Sequence, residues 1–164
     1  MSSYAAKTTV TPEKSRSEIE RTLARYGAES FAYGWDANRA AINFRVHNRQ
    51  VRFLPPLPLV DDPEFATYRR GSSTIRRTPA ATRVQWEQAI RRRWRALALC
   101  IKAKLEAVET GISSFEEEFL AYIVLPDGST VGEWAAPQIE QVYTTGRMPP
   151  MMLALGSGEE SGDG

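Results

Sequence analysis

The sequence predicts an α+β fold: a three-stranded antiparallel meander packed against one long amphipathic helix, with further short helices and a disordered C-terminal tail. Three observations carry the prediction. Between residues 31 and 53 apolar residues alternate with small or polar ones in three short runs, the period-two signature of half-buried strands. Farther on, Trp86, Ile90, Trp94, Leu97, Ile101, Leu105 and Val108 recur every three or four positions, which places them in one stripe along a helix. The chain then closes on Gly156-Ser157-Gly158-Glu159-Glu160-Ser161-Gly162-Asp163-Gly164, a stretch with nothing to bury. Residues 1–155 are therefore expected to form a single domain and 156–164 a disordered acidic Gly/Ser tail.

Thr11-Pro12 is a helix start, a capping hydroxyl followed by Pro at the first helical position, and Gly27 is the stop after Tyr26. Ile19, Leu23 and Tyr26 share one face of that helix. The first strand carries Phe31, Tyr33 and Trp35, of which Trp35 is the tryptophan expected at a sheet edge, and Asp36-Ala37-Asn38-Arg39 turns the chain. The second strand carries Ile42, Phe44 and Val46, and Val51-Arg52-Phe53 returns. A turn centred on Asn48-Arg49 would set Val46 opposite Val51, Arg45 opposite Arg52 and Phe44 opposite Phe53. The aromatic and aliphatic residues then share one face. Ala32, Gly34, Ala41, Asn43, Arg45 and Arg52 share the other.

Residues 55–78 read as a mobile loop rich in Pro and Arg. Pro55-Pro56-Leu57-Pro58 is polyproline-like, and the pairs Arg69-Arg70 and Arg76-Arg77 flank Gly71-Ser72-Ser73. A stretch of this length without clear periodicity is either mobile or functional. The long helix follows, from about Pro79 or Arg83 to Thr110, and Gly111 ends it. Trp86 and Trp94 belong to its apolar stripe, whereas Arg91, Arg92, Arg95 and Lys102 fall on the opposite side. Ser113-Ser114-Phe115-Glu116-Glu117 opens a helix to about Leu125 with a capping box, and Pro126-Asp127-Gly128 breaks it. The last helix runs from about Ser129 or Thr130 to Gly146, with Trp134 at core spacing. The acidic helices are expected on the far side of the long helix or across the chain ends.

The charge is nearly balanced in total, at +1, but divided in position. Residues 1–105 hold 20 Lys and Arg against 9 Asp and Glu, and residues 106–164 hold 1 against 11. Such a division points to a basic surface for a polyanion and an acidic segment that covers it or engages a second partner, or else to two halves that attract each other. Cys100 is the single cysteine and His47 the single histidine, so a disulfide within the chain and a His-based zinc site are excluded. No secretory h-region or membrane-length apolar run appears, and the chain reads as a soluble protein of a reducing cytoplasm. Neither a phosphate-cradling Gly-rich loop nor a nucleophile with a His partner is present, which argues against an enzyme. The acidic run Glu116–Glu118 reads as a helix cap, since consecutive helical positions do not share a face for a metal ion. No cofactor is implied.

Two constellations remain. Arg45 and Arg52, facing each other on the non-core side of the sheet, call for a compensating anion, either a nucleic-acid backbone or the carboxylates of the Glu116–Glu118 helix. Arg91, Arg92 and Arg95 present a positive helix face of the kind that follows spaced phosphates, or else a solvated face alone. With Arg69, Arg70, Arg76 and Arg77 as a mobile clamp, these nine arginines are the candidate nucleic-acid-binding residues.

Several stretches carry a resemblance: Arg25-Tyr26-Gly27-Ala28, the run from Gln85-Trp86-Glu87-Gln88 to Arg93-Trp94-Arg95-Ala96-Leu97, Ile101-Lys102-Ala103-Lys104-Leu105, Phe115-Glu116-Glu117-Glu118-Phe119-Leu120-Ala121 and Leu125-Pro126-Asp127-Gly128. Over about residues 11–153 the chain resembles a family of small uncharacterised proteins from tailed bacteriophages and prophages. The resemblance implies a phage setting in a bacterial host cytoplasm, and it brings no activity or site residues with it. The expected function is a non-catalytic, nucleic-acid-binding accessory protein that contacts the DNA or RNA backbone with low sequence specificity. Two alternatives stand beside it. One is a protein-interaction or assembly protein, acting by self-association or by inhibition of a host protein through the acidic part. The other is a nucleotide-signal binding protein, which would gather its arginines in one pocket.

Overall fold

The structure, a computed structural model, describes residues 8–36 and 38–148. The tail expected at 156–164 lies outside the described residues. The order of elements is α1 (Pro12–Arg25), β1 (Ser30–Trp35), β2 (Ala40–Val46), β3 (Arg49–Phe53), α2 (Pro63–Ala66), β4 (Thr67–Arg70), β5 (Ser73–Arg76), α3 (Pro79–Glu109), α4 (Phe115–Phe119), a 3₁₀ turn (Leu120–Tyr122) and α5 (Val131–Thr145). The chain is thus α+β, with a three-stranded antiparallel sheet in the order β1-β2-β3, a separate two-stranded ribbon β4-β5, and a 31-residue helix α3.

Helix starts follow the capping residues. The hydroxyl of Thr11 accepts from the Lys14 amide at 3.2 Å, and that of Thr78 from the Ala81 amide at 3.2 Å, each with Pro at the next position. Ser114 with Glu117 and Thr130 with Glu133 form complete capping boxes. α1 and α3 run side by side in the same direction. Contacts recur at nearly constant separation along the pair: the Gln88 side chain donates to the Thr8 carbonyl, Arg95 to Glu18, and the Tyr26 hydroxyl to Glu106.

The meander closes at a different turn from the one its sequence predicts. Partners are Val46 with Arg49, Arg45 with Gln50, Phe44 with Val51, Asn43 with Arg52 and Ile42 with Phe53. The turn residues are His47 and Asn48, with φ of +48° and +62°. Two successive left-handed residues match the twist of a two-residue hairpin, and the geometric gain outweighs the cost of a His there. Arg45 and Arg52 are accordingly not opposite each other. The shift changes each partner by two positions, an even number, so the faces stay sorted.

Ile42, Phe44, Val46, Val51 and Phe53 are buried on the inner face under Ile19 and Leu23 of α1, Trp94, Leu97, Ile101 and Leu105 of α3, and Phe115 and Phe119 of α4. Phe119 stands edge-on to both Phe44 and Phe53, with centroids at 5.8 and 6.2 Å. α4 therefore shares the inner layer with α3 and is not behind it. α5 leans on the 3₁₀ turn, where a Cβ at Gly132 would come within 2.8 Å of the Ala121 carbonyl oxygen.

Tyr33 and Trp134 depart from the sequence expectation, whereas Trp35 lies at the sheet edge as expected. Tyr33 and Trp35 occupy the core side of β1 but are 47% and 63% exposed, because β1 is an edge strand and projects past the helices. Trp134, at core spacing on α5, is 45% exposed, since α5 packs mainly on the 3₁₀ turn and buries no residue completely. No helix among the described residues is long and apolar enough to cross a membrane.

Candidate nucleic-acid interface

The nine candidate arginines separate into three groups with different surroundings. On the outer face of the sheet, Arg45 stands 3.2 Å from Glu29 and donates to the Asn48 side chain. Arg52 donates to the Gly128 carbonyl at 2.6 Å and stands 3.4 Å from Glu133. The compensating anion for Arg52 is thus the first turn of α5, not the Glu116–Glu118 helix. Amide donation from Thr130 holds the Glu133 carboxyl below the ordinary range, with desolvation opposing and Thr130 and Arg52 assisting. Glu116 instead faces Arg49 at 4.0 Å, and Glu118 faces Lys104 at 3.4 Å. Among the described residues three ion pairs therefore join the basic and acidic halves of the chain.

The arginines of α3 are half-buried along the flank that meets α1. Arg95 pairs with Glu18 at 2.5 Å. Arg91 donates twice to the Gln88 side chain, at 3.0 and 2.7 Å. Arg92 makes no ion pair or side-chain hydrogen bond among the described residues and is half-buried, whereas Arg93 is exposed. The three do not form an open positive face: two of them hold neighbouring side chains in place.

The third group sits where a structureless loop is expected. Residues 63–76 form a one-turn helix and a ribbon, with Thr67 opposite Arg76, Tyr68 opposite Ile75, Arg69 opposite Thr74 and Arg70 opposite Ser73. Gly71, at φ +62°, makes the two-residue reversal, a conformation that glycine adopts without strain. Alternation places Arg69 and Arg76 on one face of the ribbon and Arg70 with Tyr68 on the other. The base is fixed from two sides. Phe65 is buried, and the Arg77 guanidinium donates to the carbonyls of Glu64, Phe65 and Thr67 while lying 5.2 Å from the Tyr68 ring centroid. Arg77 is therefore a structural anchor and not part of a clamp. Arg69, Arg70 and Arg76 are exposed and make no ion pair or side-chain hydrogen bond among the described residues.

Beside the start of α3 lies a groove of about 620 Å³, lined by Arg16, Trp35, Asp36, Trp86, Ile90 and Trp94 among others. Its aromatic walls are tied to their neighbours. The Trp86 indole N–H donates to the Pro58 carbonyl at 2.8 Å, and the rings of Tyr33 and Trp35 lie nearly parallel, with centroids 5.9 Å apart. The Arg16 guanidinium stands 5.0, 5.1 and 5.0 Å from the rings of Tyr33, Trp35 and Trp94. Sequence reasoning missed both this groove and the ribbon. Gly71 between two runs of β-compatible residues is the signal for the ribbon; the groove joins four distant segments and has no local signal. Among the described residues no group of three His, Cys, Asp or Glu side chains is placed to hold a metal ion. No family model, curated protein or solved structure matches the chain.

Proposed function

We propose that this protein is a non-catalytic nucleic-acid-binding protein that grips the phosphate backbone with the β4–β5 ribbon. The observation that carries the reading is the contrast between arginines. Arg45, Arg52, Arg91 and Arg95 are already engaged by acceptors of the chain itself, whereas Arg69, Arg70 and Arg76 are exposed on a ribbon and pair with no carboxylate among the described residues. A guanidinium already paired with a carboxylate must give up that pair to bind phosphate, and an unpaired one need only shed water and counterions. A two-stranded ribbon also has the width to enter the major groove of a duplex or to lie along a single strand.

Contacts of this kind fix position without reading sequence, which favours backbone binding of low specificity. The phage setting and the bacterial host cytoplasm belong to the same proposal and rest on the resemblance alone. Retention on immobilised DNA or RNA at low salt, lost steeply as salt is raised, is the expected result, because each phosphate neutralised releases condensed counterion. Absence of retention on either polymer at low salt rejects the proposal.

A further inference from the structure

We infer that the groove beside Trp35 takes an unpaired nucleobase bearing an amino group, so that the protein engages single strands in preference to duplex; this deepens the proposed function and rests on it. Trp35 is the starting point. The residue is 63% exposed, and its ring is contacted by Tyr33 and by Arg16, whose own side chain is only 13% exposed. A large aromatic surface that is both packed against neighbours and wet is a stacking platform: a base that lands on it removes apolar area from water and immobilises no additional side chain. The buried ring of Trp94 and the tied ring of Trp86 close off the groove behind it. Its volume of about 620 Å³ lies within the range of small-ligand sites.

Charge decides which part of a nucleotide enters. Arg16 is already neutralised by Glu13 at 3.1 Å, and the remaining ionic group on the rim is Asp36. One oxygen of Asp36 accepts from the amides of Asn38 and Arg39 at 2.8 and 2.9 Å, and these two bonds, assisted by the charge of Arg39 on the neighbouring surface, hold its carboxyl below the ordinary range. A fixed, ionised carboxylate repels phosphate and accepts N–H. The group that suits it is an exocyclic amine such as cytosine N4. The phosphates then fall to the ribbon, which joins α3 at Thr78, while the groove residues Trp86, Ile90 and Trp94 lie on the following turns of the same helix. Both features are at one end of the molecule. A duplex keeps its base faces stacked and its amines paired, so only a single strand can use both.

The test is a titration of tryptophan fluorescence and affinity at fixed salt with three probes of about 12 nucleotides, longer than many single-strand footprints: oligodeoxycytidine, oligodeoxythymidine and a duplex. Oligodeoxycytidine is expected to quench emission and to bind roughly threefold to tenfold tighter than oligodeoxythymidine, the net value of one added hydrogen bond at a solvent-exposed acceptor. Trp35→Ala should weaken single-strand binding by roughly fivefold or more, and Trp35→Phe should retain most of it, because a ring still stacks. Asp36→Asn keeps an acceptor for the turn amides and should abolish the difference between the two homopolymers. None of these variants should alter the salt slope, which belongs to the ribbon. Equal binding of single strand and duplex, or unchanged single-strand affinity in Trp35→Ala, overturns the inference and leaves the backbone reading standing. Failure of the parent protein to bind any of the three probes overturns the backbone reading itself.

Discussion

Arg52 on β3 and Glu133 at the start of α5, 81 positions apart in sequence, stand 3.4 Å from each other across the outer face of the sheet, and the same guanidinium donates to the Gly128 carbonyl at 2.6 Å. The charge division along the chain is in part an internal fastening: a basic sheet residue holds the acidic segment that follows it. The basic surface left for a partner is smaller than the composition implies.

Arg52→Ala should destabilise the protein by about 1–2 kcal/mol, since it removes a half-buried ion pair and leaves the Gly128 carbonyl without its donor. Urea denaturation measures this. Nucleic-acid affinity should stay within about twofold of the parent, because Arg52 is already occupied.

Stability should fall as the pH drops below the ordinary carboxylate range. Glu117 and Glu133 close capping boxes, and amide donation from Ser114 and Thr130 respectively lowers each pKa from the ordinary 4.5. Each group binds protons more readily unfolded than folded. Its contribution is complete above 4.5 and is lost as pH falls through the lower folded value. Thermal melts between neutral pH and pH 3 follow this. In the double variant Glu117→Gln/Glu133→Gln the part of the decline due to these two groups should disappear.

Two tryptophans at similar helical spacing should respond differently to truncation. Trp94 is 3% exposed in the core, and Trp94→Ala should cost about 3–5 kcal/mol through the cavity it leaves. Trp134 is 45% exposed, and Trp134→Ala should cost about 1 kcal/mol or less. Denaturant unfolding of both variants compares them directly.

The contrast also indicates what a sequence makes legible. Thr11-Pro12, Thr78-Pro79, the Ser114 and Thr130 boxes and the stripe on α3 are local signals with local consequences, and the helices begin where those residues place them. The sheet faces survive a wrong turn because the error was even. Exposure of Tyr33 and Trp134 depends on how far neighbouring elements reach, which no periodicity encodes. The ribbon escaped notice because strands of four residues offer only Tyr68 and Ile75 as apolar alternation, and its stability comes from Arg77 and Phe65 at its base. The arginines were legible as candidates, but their occupancy by carboxylates and carbonyls was not.

The triple change of Arg91, Arg92 and Arg95 to Gln should cost about 1–2 kcal/mol, mostly from losing the Arg95–Glu18 pair between α1 and α3. It should change nucleic-acid affinity little. Denaturation and binding assays on the same preparation separate the two effects.

The salt dependence of nucleic-acid affinity, compared between the parent and the ribbon variant Arg69→Gln/Arg70→Gln/Arg76→Gln, tests the central claim most directly. Three phosphate contacts contribute a slope of about −2 to −3 in log K against log salt, at roughly 0.7–0.9 per contact. The account predicts that the variant keeps the parent's melting temperature within a few degrees, loses most of its affinity at low salt and flattens the slope by about that amount. A folded variant that binds with the parent's affinity and slope would contradict it.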